Sequence, residues 1–389
     1  MQFRSLALAI GLAVVAVPGF AEDVSMSPMA IGGLQSVSLR AAGDRNDQFV
    51  IDTGDASYVK VNFDLLDLPP GAQVLVSNPD GTEVYRYGAG STDDYTVDAE
   101  LGQDGKYSFS AMSISGPVAI VRVVSPASDR GAEGKYAGLR ISSYYAGYPE
   151  PAVPELDKRG LLQPGAGKSI CGVDDKRDAA CFGSTTTAYQ RSRPVARLLI
   201  GGRSLCTGWR VGSGDKMFTN NHCFTTSTQA AGTEVWFNYQ RTTCGGTTNT
   251  VPTKVSGRTV LRTNTTYDYT LFTINNASTV SSFGFLSLDV RAPRVGEGIF
   301  IAQHPGGKPK QIATTSDRDG GGSCRVNGLS TTDAAYYCDT EGGSSGSPVF
   351  ATSTGRVVAL HHLGGCTNQG ARIDKIWPGV STYFGNVVP

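Results

Sequence analysis

Short stretches in which apolar and polar side chains alternate run along most of the chain, separated by clusters of Gly, Pro, Asn and Asp. A period of two puts every second side chain on one face of an extended strand, so this pattern predicts strands with one buried face. In the first third of the chain, Tyr58-Val59-Lys60-Val61-Asn62-Phe63, Val74-Leu75-Val76, Tyr107-Ser108-Phe109-Ser110 and Val118-Ala119-Ile120-Val121-Arg122-Val123 read this way. Turn signals at Pro69-Pro70-Gly71 and Asn78-Pro79-Asp80-Gly81 space them as in a small sandwich. The same signals return in Val195-Ala196-Arg197-Leu198-Leu199-Ile200, Glu234-Val235-Trp236-Phe237-Asn238-Tyr239 and Val357-Val358-Ala359-Leu360. Helical periodicity is scarce outside one short C-terminal element. The expected class is all-β: a β-sandwich-like N-terminal domain over 22–147, then a second domain over 169–389 built of antiparallel barrels or a sandwich.

Two segments break the pattern. Leu6 to Val17 is an unbroken apolar run behind Arg4, followed by small residues at Gly19 and Ala21 and the acidic pair Glu22-Asp23. This predicts a secretory signal peptide over 1–21. The run is shorter than the roughly 20 residues a membrane helix needs, so no membrane association is expected once it is removed. The expected location is therefore extracellular, with passage through a periplasm left open. Residues 148–168 form the second break, a Pro/Gly-rich linker containing Lys158, Arg159 and Lys168 where proteolytic processing is expected.

Composition sharpens this division. All eight cysteines lie between Cys171 and Cys366, and an even set in an exported chain predicts disulfides confined to the second domain. No Cys-x-x-Cys pair occurs, and neither a metal nor another cofactor is expected. Lys and Arg together number 34, as do Asp and Glu, and that balance argues against nucleic acid or an anionic surface as partner. The expected form is a monomer.

The candidate chemistry centres on Gly342-Gly343-Ser344-Ser345-Gly346-Ser347-Pro348-Val349. Small residues flank a serine that a tight turn would present beside bare backbone N–H groups, the combination an acyl-transfer nucleophile and its oxyanion hole require. Such a serine needs a base, and the chain has only four histidines: His222, His304, His361 and His362. His222 ends the run Met217-Phe218-Thr219-Asn220-Asn221-His222-Cys223, where a bridge from Cys223 to Cys206 would hold the base rigidly. Asp268 opens the apolar run Tyr269-Thr270-Leu271-Phe272 and suits the carboxylate that orients the imidazole. His304 reads as a loop histidine bound to local backbone groups. His361 and His362 are adjacent on an extended run, face opposite sides and make poor joint metal ligands.

The ordered motifs Thr219-Asn220-Asn221-His222-Cys223, Asp268-Tyr269-Thr270-Leu271 and Gly343-Ser344-Ser345-Gly346-Ser347-Pro348-Val349 resemble those of chymotrypsin-like serine proteases. The nearest likeness is to the bacterial secreted branch containing lysyl endopeptidase and, more distantly, the glutamyl endopeptidases. Over about residues 168–389, the resemblance implies a double β-barrel, with His222 as general base, Asp268 as its partner and Ser345 as nucleophile. The N–H groups of Gly343 and Ser345 would form the oxyanion hole. It also implies the bridges Cys171–Cys366, Cys181–Cys244 and Cys206–Cys223, leaving Cys324 and Cys338, which have no counterpart in it, as a fourth pair. The expected activity is hydrolysis of protein or peptide substrates.

Where the trypsin group carries an activating aspartate before the nucleophile, this chain has Ser344. Family precedent then casts the N-terminal domain as the enzyme's own chaperone or inhibitor, making the chain a zymogen cut near Lys168 or Arg159; the alternative is a domain that stays attached and serves in binding. Asp339, six residues before Ser345, and Asp374, eight after Cys366, are candidate carboxylates for selecting Lys or Arg at P1, with His361 on the pocket wall. The same surroundings resemble glutamyl endopeptidases, so an acidic P1 stays open beside the basic one. A catalytically silent homologue acting in binding is the remaining alternative.

Overall fold

A computed structural model describes residues 27–88, 93–126, 135–149 and 169–389. The expected signal peptide and processing sites lie outside these residues.

The alternating runs form the strands they predict. Val118–Val124 buries Ala119, Val121 and Val123 on one face. Its sheet has the order Asp47–Asp52, Val118–Val124, Gln73–Ser77, Val84–Gly88. A second sheet runs Gly32–Ala41, Gly138–Gly147, Tyr58–Asp67, Phe109–Ala111, Tyr95–Thr96, with Ile114–Ser115 also paired to Tyr58–Asp67. Val59, Val61, Phe63, Val74, Val76, Tyr87, Phe109 and Val121 form one core from both sheets, the expected sandwich.

In the second region six antiparallel strands close on themselves in the order Ser204–Arg210, Val195–Ile200, Thr233–Phe237, Thr253–Asn264, Tyr269–Ile274, Lys216–Thr219, the last pairing back to the first. Closure leaves no free edge among them. An eight-stranded sheet follows, ordered Arg177–Asp178, Gln311–Ala313, Ile299–Gln303, Pro348–Ala351, Val357–Leu363, Asn368–Arg372, Asp333–Tyr336, Val326–Leu329. An antiparallel bridge between Gly298 and Arg325 links the start of Ile299–Gln303 to that of the last strand, Val326–Leu329. The two bodies pack through Val195, Trp209, Phe218 and Leu271 on one side and Phe300, Ile312, Phe350 and Leu360 on the other. The expected C-terminal element is the helix Ile373–Ile376, continued by 3-10 turns over Trp377–Gly379 and Ser381–Phe384.

The two regions on either side of the linker are not apart in space. Met29–Ala30 adds to the first barrel as an extra strand, pairing antiparallel with Ser204 and Leu205. Val195–Ile200 is buried along its whole length because both faces are covered. Ala196, Leu198 and Ile200 face the barrel interior, while Leu199 packs with Ile31, Tyr58 and Tyr145 of the sandwich.

Candidate active site

The strand Lys216–Thr219 delivers Asn220, Asn221 and His222 to the barrel mouth. His222 is clasped twice by Asp268: its backbone N–H donates to Oδ1 at 2.9 Å, and Nδ1 lies 2.7 Å from Oδ2. Asp268 precedes the strand Tyr269–Ile274 in a left-handed conformation (φ 43°), which aspartate tolerates better than a branched residue would. Asn220 Nδ2 secures the Asp268 carbonyl at 2.7 Å. The Cys206–Cys223 disulfide ties the residue after His222 to the neighbouring strand.

Ser345 is carried by the other body. Ser347 N–H donates to Ser344 O at 3.0 Å, Gly346 N–H to His361 O at 2.9 Å, and His361 N–H to Ser347 O at 2.9 Å. These bonds lock the loop onto the strand Val357–Leu363. Gly343 and Gly346 have φ of 90° and 89°, where a side chain is strained. A Cβ on Gly346 would stand 2.2 Å from Thr207 O and 2.6 Å from Thr219 Oγ1, so the loop lies directly against the strand that leads to His222. Thr207 N–H donates to Ser345 O at 2.8 Å, and Thr207 Oγ1 to Gly343 O at 2.9 Å. One strand, Ser204–Arg210, thus holds the serine loop by hydrogen bonds and the His222 loop by a disulfide. Ser345 is partly exposed, whereas Ser344 and Ser347 are buried.

Ser344 Oγ donates to Gln303 Oε1 at 2.5 Å and accepts from Glu341 N–H at 3.1 Å, an internal tether where the trypsin group has its aspartate. His304 behaves as the loop histidine expected, with Nδ1 3.2 Å from Lys308 O.

His362, to which the sequence assigned no role, reaches the site from the strand Val357–Leu363. Its Nδ1 stands 3.4 Å from Asp268 Oδ2, a charge contact at the long edge of hydrogen bonding, and its Nε2 2.9 Å from Asp333 Oδ1. Burial disfavours its charge, but the two carboxylates outweigh burial and push its pKa up to about 9. Burial would likewise raise Asp268, yet the hydrogen bonds from His222 and the nearby His362 imidazole hold it at about 2. His361 faces the other way, with Tyr336 hydroxyl 2.7 Å from Nδ1, and burial pushes it down to about 3.

The expected pocket carboxylates are engaged within the protein. Asp339 accepts the N–H groups of Cys171 and Asp175, each at 2.8 Å, and burial raises its pKa. Asp374 takes both of its bonds from Arg372, at 3.0 and 2.8 Å. The described residues carry the disulfides Cys171–Cys366, Cys181–Cys244 and Cys206–Cys223, the three that the resemblance implies, and Cys324–Cys338 between the two cysteines it leaves over. Cys206, His222 and Cys223 lie close enough to resemble a metal site, but both sulfurs are spent in the disulfide.

The family profile described as lysyl endopeptidase, C-terminal domain, matches residues 172–374, which include His222, Asp268 and Ser345. Secreted RxLR effector protein 73 of Plasmopara viticola is 32% identical over 352 residues, covering 85% of this chain and 82% of that protein. The uncharacterized protein y4fB of Sinorhizobium fredii is 32% identical over 261 residues, covering 59% of this chain and 38% of that protein. Among solved structures, a Glu endopeptidase in complex with MPD is similar at 22% identity and a TM-score of 0.42, over 56% of this chain and all of that one. The chain belongs to the lysyl endopeptidase family of chymotrypsin-like serine proteases.

Proposed function

We propose that the chain is a secreted serine endopeptidase that cleaves proteins and peptides through an acyl-enzyme, with Ser345 as nucleophile, His222 as base and Asp268 as its orienting carboxylate. The observation that carries this reading is the double clasp of His222 by Asp268, at 2.9 and 2.7 Å, beside a loop whose accessible serine is Ser345. With Nδ1–H donating to Asp268, the Nε2 lone pair is free to accept a proton. Ser345 Oγ attacks the scissile carbonyl while His222 takes its proton, and the oxyanion is held by the N–H groups of Gly343 and Ser345. His222 then protonates the leaving amine as the C–N bond breaks. Water deprotonated by the same imidazole hydrolyses the ester and restores Ser345.

Two P1 preferences divide the observations. Membership of the lysyl endopeptidase family favours a basic P1, Lys above all. An acidic P1 is favoured by the engagement of Asp339 and Asp374, whose carboxylate oxygens each already take a donor. An extracellular location is supported by the four disulfides and by the secreted relative.

A fluorophosphonate probe should label Ser345 in the wild-type protein and fail with Ser345→Ala. Labelling that survives the substitution refutes the nucleophile and with it the reading. Digesting a denatured protein and sequencing the cut ends separates the P1 preferences, Lys or Arg before most cuts supporting the first and Asp or Glu the second.

A further inference from the structure

Resting on the serine protease reading above, we propose that the N-terminal sandwich is a permanently docked subunit that props the oxyanion loop through Leu205, not a propeptide that is shed. Met29–Ala30 pairs with Ser204 and Leu205, and Ile31 N–H donates to Arg203 O at 2.7 Å. Two residues further along the same strand, Thr207 holds Ser345 and Gly343. The Leu205 side chain spans the gap. A Cβ on Gly343 would stand 2.3 Å from Leu205 Cδ2, so this side chain lies directly on the Gly343 backbone. Leu205 also packs in one cluster with Ile31, Tyr58 and Tyr145 of the sandwich. Gly307 sits within reach of both Leu205 and Ile31, and its neighbour Gly306 donates to Gly342 O at 2.7 Å. Both flanks of Gly343 therefore rest on groups that the sandwich covers. From inside, Ser344 tethers this loop through Gln303 and the Glu341 N–H with a hydroxyl in place of a carboxylate, and packing from outside adds to that support.

The interface is built as an interior. Glu234 of the first barrel accepts from Lys60 Nζ at 2.5 Å, Ser113 N–H at 2.9 Å and Ser113 Oγ at 2.7 Å. Lys254 Nζ donates to Glu83 at 3.0 Å and to Ser113 O at 2.7 Å. The four charged side chains are at most 2% exposed. Buried charges of this kind set the register of docking more than its strength. Strength comes from the apolar cluster, and undocking would leave Leu199, Leu205, Trp236 and Tyr239 as an exposed apolar patch on the protease. Ser345 nevertheless keeps partial exposure with the sandwich in place, so the docked state does not cover that serine.

The test begins with a full-length protein whose linker, within 150–168, carries a recognition sequence for an unrelated site-specific protease. After cutting, the two fragments are expected to co-elute on gel filtration in about 0.15 M salt, with the rate of fluorophosphonate labelling within about twofold of the uncut chain. Separation of the fragments, or labelling that accelerates beyond this on cutting, overturns the proposal. In the uncut chain, Ile31→Asp should slow labelling by about tenfold or more, and the milder Ile31→Ala should slow it by less. Unchanged or faster labelling in Ile31→Asp overturns it. If Ser345 labels in no form, the serine protease reading fails, while co-elution still decides whether the sandwich is permanent.

Discussion

Asp339 stands where a carboxylate selects a basic side chain in the trypsin group, yet here it caps the backbone N–H groups of Cys171 and Asp175. Its role follows from the chain that crosses it, the start of the protease region tethered by Cys171–Cys366. Asp339→Asn replaces one acceptor oxygen with an amide donor facing an N–H group, and should cost about 1–3 kcal/mol in thermal unfolding. The P1 preference should not move, and a change in cut-site residues on peptide mapping would return Asp339 to the pocket. His362 is the opposite case, a residue without an assigned role that the fold sets between Asp268 and Asp333. Its folded pKa of about 9 lies above the ordinary histidine value of 6.5, so the charged form stabilises the fold fully below pH 6.5, and that contribution is lost as pH rises through 9. The unfolding midpoint should therefore fall between about pH 6.5 and 9 in the wild type, and fall less in His362→Gln, as read by melting scans at each pH. Sequence singled out His222, Asp268 and Ser345 as candidates through their motifs, because each motif is local. It could not place His362, whose partner Asp333 belongs to a different strand.

At the scale of elements, the site depends on the closeness of two loops. Gly346 permits it by lacking a side chain where Thr207 and Thr219 press from the neighbouring strands. Gly346→Ala meets both a left-handed φ of 89° and backbone contact at 2.2 Å. It should destabilise the fold by about 3 kcal/mol and abolish probe labelling, measured by denaturant unfolding and labelling rate. The strands were legible because alternation survives wherever one face meets solvent. Short helices were not: Thr187–Ser192 and Ser227–Ala231 span too few residues for a helical period to register. The second carries a readable signal even so, the capping box in which Thr226 and Gln229 satisfy each other's backbone N–H groups.

Across the whole molecule, three bodies meet at one strand, since Ser204–Arg210 pairs with Met29–Ala30 just ahead of the sandwich, closes the first barrel and fastens the serine loop of the second. The buried charges between sandwich and barrel yield a direct prediction. Lys60→Ala leaves Glu234 short of one cation in a dry interface and should cost about 3–5 kcal/mol, whereas Lys60→Met with Glu234→Gln, which removes both charges and keeps an acceptor for Ser113, should cost less. Chemical denaturation of both variants measures the difference, and equal losses would show that the pair matters as two separate groups. One trace of this docking was present in the sequence. Val195-Ala196-Arg197-Leu198-Leu199-Ile200 is nearly continuous in apolar residues, the mark of a strand covered on both faces. Nothing in the run says what covers the second face.

The sequence by itself determined the all-β class, the triad candidates and the confinement of the cysteines, because alternation, short motifs and composition are properties of neighbouring residues. Only the tertiary structure decided that Asp339 and Asp374 bind within the protein, that His362 lies beside Asp268, and that the sandwich lies against the strand holding the Ser345 loop. Each is a contact between segments far apart in the chain, and pairing across such distances is settled by burial and closure, which no local pattern encodes.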